Sequence, residues 1–171
     1  MTRRLAEHLN AVDDGAARDA LARCCGARRW VDGMLAARPF ASDRAVLEAA
    51  DRLWWALGRA DWLEAFARHP RIGERDTGEP RQAATRDWAR GEQAGVEVAG
   101  ADTRRALAAG NEEYERRFGH VFLICATGRG AREMLRELRR RLENDPAREL
   151  QVAAGEQAKI TRIRLEKLVH P

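Results

Sequence analysis

The 171 residues fit one domain on the usual range of roughly 100–200 residues. A chain of this size buries about two-thirds of the surface its unfolded form exposes, so no disulfide or metal staple is required. Hydrophobic residues make up 44% and charged residues 34%, which excludes a disordered chain. The net charge of +4 is carried almost wholly by arginine, since only Lys159 and Lys167 are lysines among 31 basic residues. A nucleic-acid footprint would gather these arginines into one basic stretch. Instead they alternate with acids, as in Arg132-Glu133 and Arg136-Glu137, and read as a solvated mixed-charge surface. Cys24, Cys25 and Cys125 offer neither a disulfide framework nor zinc spacing, and read as small buried hydrophobes in a reducing compartment. With no apolar signal core and no membrane-length segment, the expected location is the cytoplasm, away from membranes.

In chain order the periodicity is helical almost throughout. Leu21, Cys24 and Cys25 follow the spacing of a buried helix face, in a helix expected to begin after Asp13 or Asp14 and to end at Gly26. Trp30, Met34 and Leu35 mark a short helix closed by Arg38-Pro39. Ser42 is a good N-cap for a helix through Val46, Leu47, Ala50, Leu53, Trp54 and Leu57, stopped by Gly58. Asp61 and Glu64 loosely fit a capping box opening a helix through Trp62, Leu63 and Phe66, which runs into His69-Pro70. Residues 70–80 read as a loop. Helices are expected around 83–93, 102–118, 131–143 and 146–169. The apolar run Phe122-Leu123-Ile124-Cys125-Ala126, bounded by Gly119 and Gly128, fits either a buried strand or an extended connector. The expected fold is all-α: a single-domain helical bundle of about eight to nine helices covering residues 1–171.

Four places stand out chemically. His69 sits at a helix end, pinned by Pro70, and its imidazole has the unperturbed pKa nearest neutrality. Glu92-Gln93-Ala94-Gly95 sets a carboxylate beside an amide at a helix end. The 122–126 run, as backbone outside a helix, has N–H and C=O groups able to bind a polar ligand. Arg164 lies between apolar Ile163 and Leu165 on the last helix. Each has a blander reading: a histidine at a favourable helix terminus, a solvated polar pair, core backbone, a surface arginine.

Together, however, these segments resemble the 2-oxo-4-hydroxy-4-carboxy-5-ureidoimidazoline (OHCU) decarboxylase family. The resemblance runs through Cys24-Cys25-Gly26 with Trp30, Arg38-Pro39-Phe40, Ala67-Arg68-His69-Pro70-Arg71-Ile72-Gly73 and Glu92-Gln93-Ala94-Gly95. It continues through Asn111 with Tyr114, Phe118-Gly119 and 122–126, to Ile160 and Arg164-Leu165. It implies a usually dimeric helical enzyme that decarboxylates a small-molecule intermediate of urate breakdown to (S)-allantoin, with no cofactor and no metal. His69 falls at the family's catalytic histidine and Glu92 is its carboxylate partner. Pro70, Gln93, Phe122, Leu123, Ile124, Cys125, Ala126 and Arg164 fall at substrate-binding positions, with Arg162 a nearby alternative to Arg164. Many members carry a serine where this chain has Ala89, so only a backbone contact could survive there.

The chemistry suits these residue types. The ring carbon that bears carboxylate and hydroxyl adjoins a C=N bond able to take up the electrons that CO₂ leaves behind, so the substrate is its own electron sink. The protein then supplies orientation, anion anchoring and a proton. Arg164 offers a planar fork for a carboxylate, Glu92 an acceptor that could also hold His69, and His69 the acid–base group. The rival is an arginine-rich nucleic-acid- or protein-binding module, indifferent to His69 and Glu92 and steeply salt-dependent.

Overall fold

The computed structural model describes residues 4–73, 83–97 and 99–170. Ten helices occur among them and no strand. They are α1 (Leu5–Ala11), α2 (Asp14–Cys24), α3 (Arg28–Ala36), α4 (Asp43–Trp55), α5 (Arg59–Phe66), α6 (Ala83–Glu92), α7 (Ala94–Glu97), α8 (Ala101–Phe118), α9 (Ala131–Arg141) and α10 (Pro146–Lys167). The all-α expectation holds. Two elements exceed it: α1 and the single turn α7. Most of the loop expected at 70–80 lies outside the described residues. The chain divides into two compact units, one of residues 1–65 and 158–171, the other of residues 66–157. None of the described helices is long and apolar enough to cross a membrane.

In the first unit, helix starts follow the capping residues. Asp13 Oδ1 accepts from Ala16 N–H at 2.9 Å and Ser42 Oγ from Ala45 N–H at 3.1 Å, each satisfying a donor the helix cannot. The frame around Asp61 differs from expectation. α5 starts at Arg59, three residues before the Trp62 that an Asp61 cap would make its first residue, so Asp61 lies inside its first turn and its carboxylate reaches back to Gly58 N–H at 3.3 Å. Glu64 takes no part in that box; it accepts from both the backbone N–H and the guanidinium of Arg28. The helix ending near Gly26 stops at Cys24, and that ending near Gly58 stops at Trp55. Trp30, Met34, Leu21 and Val46 are fully buried, and two indoles are anchored rather than merely packed: Trp30 Nε1 donates to Ala50 O and Trp62 Nε1 to Trp54 O. Cys24 and Cys25 are buried thiols, as expected.

In the second unit α8 packs along α9 around Ile72, Val96, Leu107, Tyr114, Phe118, Phe122, Ile124, Met134 and Leu138. Gly119 ends α8 with φ 76°, a left-handed conformation that glycine adopts without a Cβ penalty, and the chain leaves it as the extended 122–126 run. That run is a connector, not a strand. Two of its backbone groups, Leu123 O and Cys125 N–H, are bonded by side chains. Arg141 Nη1 donates to Leu123 O at 2.7 Å, and its Nε donates to Glu149 Oε1 at 2.7 Å, both residues being fully buried. Tyr114 Oη donates to the same carboxylate, whose other oxygen accepts from Asn144 Nδ2 at 2.8 Å. Burial holds the Tyr114 phenol well above its usual range; Arg141 opposes this and the bond to Glu149 adds to it.

The exposed arginines are engaged differently. Arg18–Asp32, Arg44–Glu48, Arg140–Glu137 and Arg162–Glu166 are solvent-facing ion pairs, the mixed-charge surface expected from the alternation. Pairs of this kind contribute little to stability. The buried pair is another matter, because removing one partner strands the other's charge. Arg141→Leu is expected to cost about 3–5 kcal/mol in urea unfolding, and adding Glu149→Leu should recover part of that loss.

Candidate active site

His69 lies three residues beyond α5, its N–H bonded to Phe66 O at 3.1 Å. It is 8% exposed, and Nε2 is 2.7 Å from Gln157 Oε1, a residue with no exposed surface. The segment after it is fastened at successive residues. Arg71 makes a two-pronged pair with Glu115, Nε at 2.7 Å and Nη2 at 2.8 Å. Ile72 O accepts from Asn111 Nδ2 at 2.9 Å, and Gly73 N–H donates to Gln93 Oε1 at 3.0 Å. The histidine is therefore followed by backbone that side chains hold in place. One partner in this clamp is incomplete: Asn111 Oδ1 is buried without a hydrogen bond.

Glu92 ends α6 and is buried at 9% exposure, while Gln93 is half-buried. The Gln93 N–H is capped by Ala89 O at 3.1 Å, so at the position of the missing serine the backbone carbonyl serves the helix end. Gly95 explains itself by contact. A Cβ built there would lie 2.2 Å from Arg129 O, so the turn bearing Glu92 and Gln93 approaches the loop beyond residue 126 closer than any side chain permits. Along the 122–126 run, Cys125 N–H donates to Glu156 Oε2 at 2.7 Å, and Ala126 O accepts from Arg129 N–H at 3.0 Å. The Phe122 ring lies 4.7 Å beneath the Arg141 guanidinium. The second unit thus holds His69, Pro70, Glu92, Gln93 and the whole extended run.

Sequence reasoning missed three residues that organise this unit. Glu156 and Gln157 sit in the middle of α10, where polar residues read as lapses or solvated positions, yet both are buried against site segments. Arg141 is the last of three consecutive arginines. Its spacing from Met134 and Leu138 sets it beside the apolar face, unlike Arg140, but no local signal gives it a buried partner.

Arg164 belongs to the first unit. It is 4% exposed, and its Nη1 donates to Arg23 O at 3.3 Å. Arg162, the alternative two residues away, is exposed and paired with Glu166. Burial therefore separates the two. Near Arg164, desolvation pushes the Cys25 thiol up to about 12, against the lowering influence of the Ala27 and Thr161 hydrogen bonds and of Arg164 itself. Among the described residues no group of His, Cys, Asp and Glu is arranged to hold a metal ion.

Known proteins show the family. The family model described as OHCU decarboxylase matches residues 10–166. The chain belongs to the OHCU decarboxylase family. A uric acid degradation bifunctional protein of Arabidopsis thaliana is 39% identical over 85% of this chain, which spans only 45% of that relative's length. An OHCU decarboxylase of Amia calva is 33% identical over 77% of this chain and 75% of its own. A crystal structure of OHCU decarboxylase in the presence of (S)-allantoin superposes with a TM-score of 0.76 at 33% identity, covering 94% of this chain and all of that one. A structure titled (S)-allantoin synthase shares the fold, with a TM-score of 0.71 at 14% identity over 96% of this chain and 54% of its own.

Two outcomes follow for this member of the OHCU decarboxylase family. Gly95→Ala forces backbone apart and should cost about 1–3 kcal/mol in thermal or urea unfolding, as overpacking does. Cys25 has a raised folded pKa, so its stabilising contribution is complete below the unfolded thiol value of 9.0 and is lost as pH rises toward about 12. Native alkylation near neutral pH should therefore leave Cys24 and Cys25 unmodified, with reaction at half-buried Cys125 alone, read by mass spectrometry of peptides.

Proposed function

We propose that this chain decarboxylates 2-oxo-4-hydroxy-4-carboxy-5-ureidoimidazoline to (S)-allantoin and CO₂, a lyase step of uric acid degradation, with His69 as the acid–base group. The carrying observation is the buried histidine on a clamped backbone, in the unit that also holds Glu92 and the extended run, within a chain matched to the family over residues 10–166. The functional domain in this reading is the whole of residues 1–171. It works without metal or organic cofactor, as a homodimer in the cytoplasm.

The substrate's structure dictates the electron flow. The bond to the carboxylate breaks, and its electron pair becomes a C=C bond to the ureido-bearing carbon as the adjoining C=N closes onto nitrogen, which takes a proton. The resulting enol hydroxyl becomes a carbonyl by losing its proton, and a proton adds to the ureido-bearing carbon on one face. No external electron sink is needed. His69 delivers or accepts a proton in this sequence, which an imidazole does near neutrality without a large pKa shift. Glu92 accepts from hydroxyl and ureido N–H groups. Arg164 anchors the carboxylate or a carbonyl by its planar fork, and Pro70 forms the wall beside the histidine.

Gln93 already spends its Oε1 on Gly73, so its amide N–H side faces the substrate in this reading. Within the run, Leu123 O and Cys125 N–H are engaged by Arg141 and Glu156. The backbone of Phe122 and Ile124 and the N–H of Ala126, whose carbonyl accepts from Arg129 N–H, are assigned to the substrate's polar groups, while Leu123 and Cys125 shape the wall.

The direct test generates the intermediate freshly from urate and follows its loss and the handedness of the allantoin, with and without the chain. Faster loss with a single enantiomer is expected; unchanged loss giving racemic product would reject the reading. His69→Ala should lower turnover by roughly 10²–10⁴-fold with the fold intact by circular dichroism. Arg164→Lys keeps the charge but loses the fork, and should raise KM more than it lowers kcat.

A further inference from the structure

We propose that Gln157 is a positioning residue for His69: its amide oxygen holds the proton on Nε2, so that Nδ1 is the nitrogen that exchanges protons with the substrate. The inference rests on the catalytic reading of His69 given above and adds which ring nitrogen works and what selects it. Nε2 and Gln157 Oε1 lie 2.7 Å apart, 88 residues apart in sequence, both side chains buried.

A carbonyl oxygen can only accept, so the ring nitrogen facing it carries hydrogen in both the neutral and the charged ring. The proton gained or lost on titration then belongs to Nδ1. The opposite arrangement, with the amide NH₂ toward Nε2, would force the neutral Nδ1–H ring and place two donors face to face on protonation. Such a histidine could not act as an acid. The oxygen-first arrangement is compatible with both states of a proton-cycling group, as when a second hydrogen bond fixes which ring nitrogen does the chemistry.

The identity of the partner matters as well. An amide orients the ring without adding a full charge beside it, whereas a carboxylate would bind the imidazolium and oppose return of its proton. Gln157 is itself held in a helix, at the centre of α10, and the preceding Glu156 takes Cys125 N–H. Adjacent residues of one rigid element thus set the ring and the extended run in a common frame, the kind of support a preorganised site requires.

The test uses the full chain with ¹⁵N-labelled histidine rings, read without substrate so that it stands apart from the decarboxylase assay. In the neutral wild type, His69 Nε2 should show the protonated resonance and Nδ1 the unprotonated one; a neutral Nδ1–H ring overturns the proposal. Gln157→Met is neutral and similar in size. In it the Nε2–H signal, sheltered in the wild type, should be lost to solvent exchange, while kcat falls at least tenfold and KM changes less than threefold. An unchanged Nε2–H signal overturns the proposal, as does a loss confined to KM. Gln157→Glu keeps an acceptor oxygen and should keep the Nε2–H signal; its loss in the folded variant also counts against the assignment. If the wild type fails to decarboxylate yet shows the expected ring signals, the catalytic reading fails and the hydrogen-bond assignment stands.

Discussion

The Arg141 guanidinium and the Glu149 carboxylate meet where neither has any exposed surface, between the end of α9 and the first turns of α10. Two charges out of water are stable there because nearly every hydrogen-bonding direction is used: Tyr114, Asn144 and Leu123 O complete what the pair leaves open. The network's product is a fixed extended run. Residues 122–126 run beside no strand among the described residues and form no helix, so side chains supply some of the partners their backbone needs. Arg141 supplies one, and its guanidinium covers the Phe122 ring. The OHCU decarboxylase site in this reading depends on that backbone staying put, which makes a structural ion pair the foundation of a binding surface.

α10 serves as the ruler for the second unit. Glu149, Glu156 and Gln157 fall at i, i+7 and i+8, hence on one helical face. Each holds a different piece: the Arg141 network, Cys125 N–H and His69. A helix fixes relative positions more firmly than loops do, and loops are what it organises here. Gln93 and Asn111 do the same for the backbone after the histidine, holding Gly73 N–H and Ile72 O.

Much of this was legible in the chain. Helix starts at Asp13 and Ser42 were readable because capping chemistry is local, and the apolar spacing of α2 and α4 because the helical period is short. His69 and Glu92 were recognisable as parts of motifs. What escaped depends on distant partners. The spacing from Leu150, Ala153, Ala154 and Ile160 puts Gln157 on the apolar face of its helix, but nothing near it names His69 as the partner. In Arg139-Arg140-Arg141 the spacing sets the last beside the apolar face, but no local signal gives it a buried partner. α5 began early because Asp61 acts inside the first turn rather than at the cap, a shift that depends on the Gly58 N–H lying within its reach. For the 122–126 run, composition left strand and connector equally open. The choice was made by Arg141 and Glu156, both remote in sequence.

The near absence of lysine has a practical side. Lys159 and Lys167 both lie on α10, the first exposed and the second half-buried. Side-chain amine chemistry on this protein is therefore addressed to one helix. Among side chains, amine-directed dyes, cross-linkers and resins that would decorate most proteins of this size at random reach only α10 here. The arginines that replace lysine elsewhere are unreactive toward such reagents and retain their charge throughout.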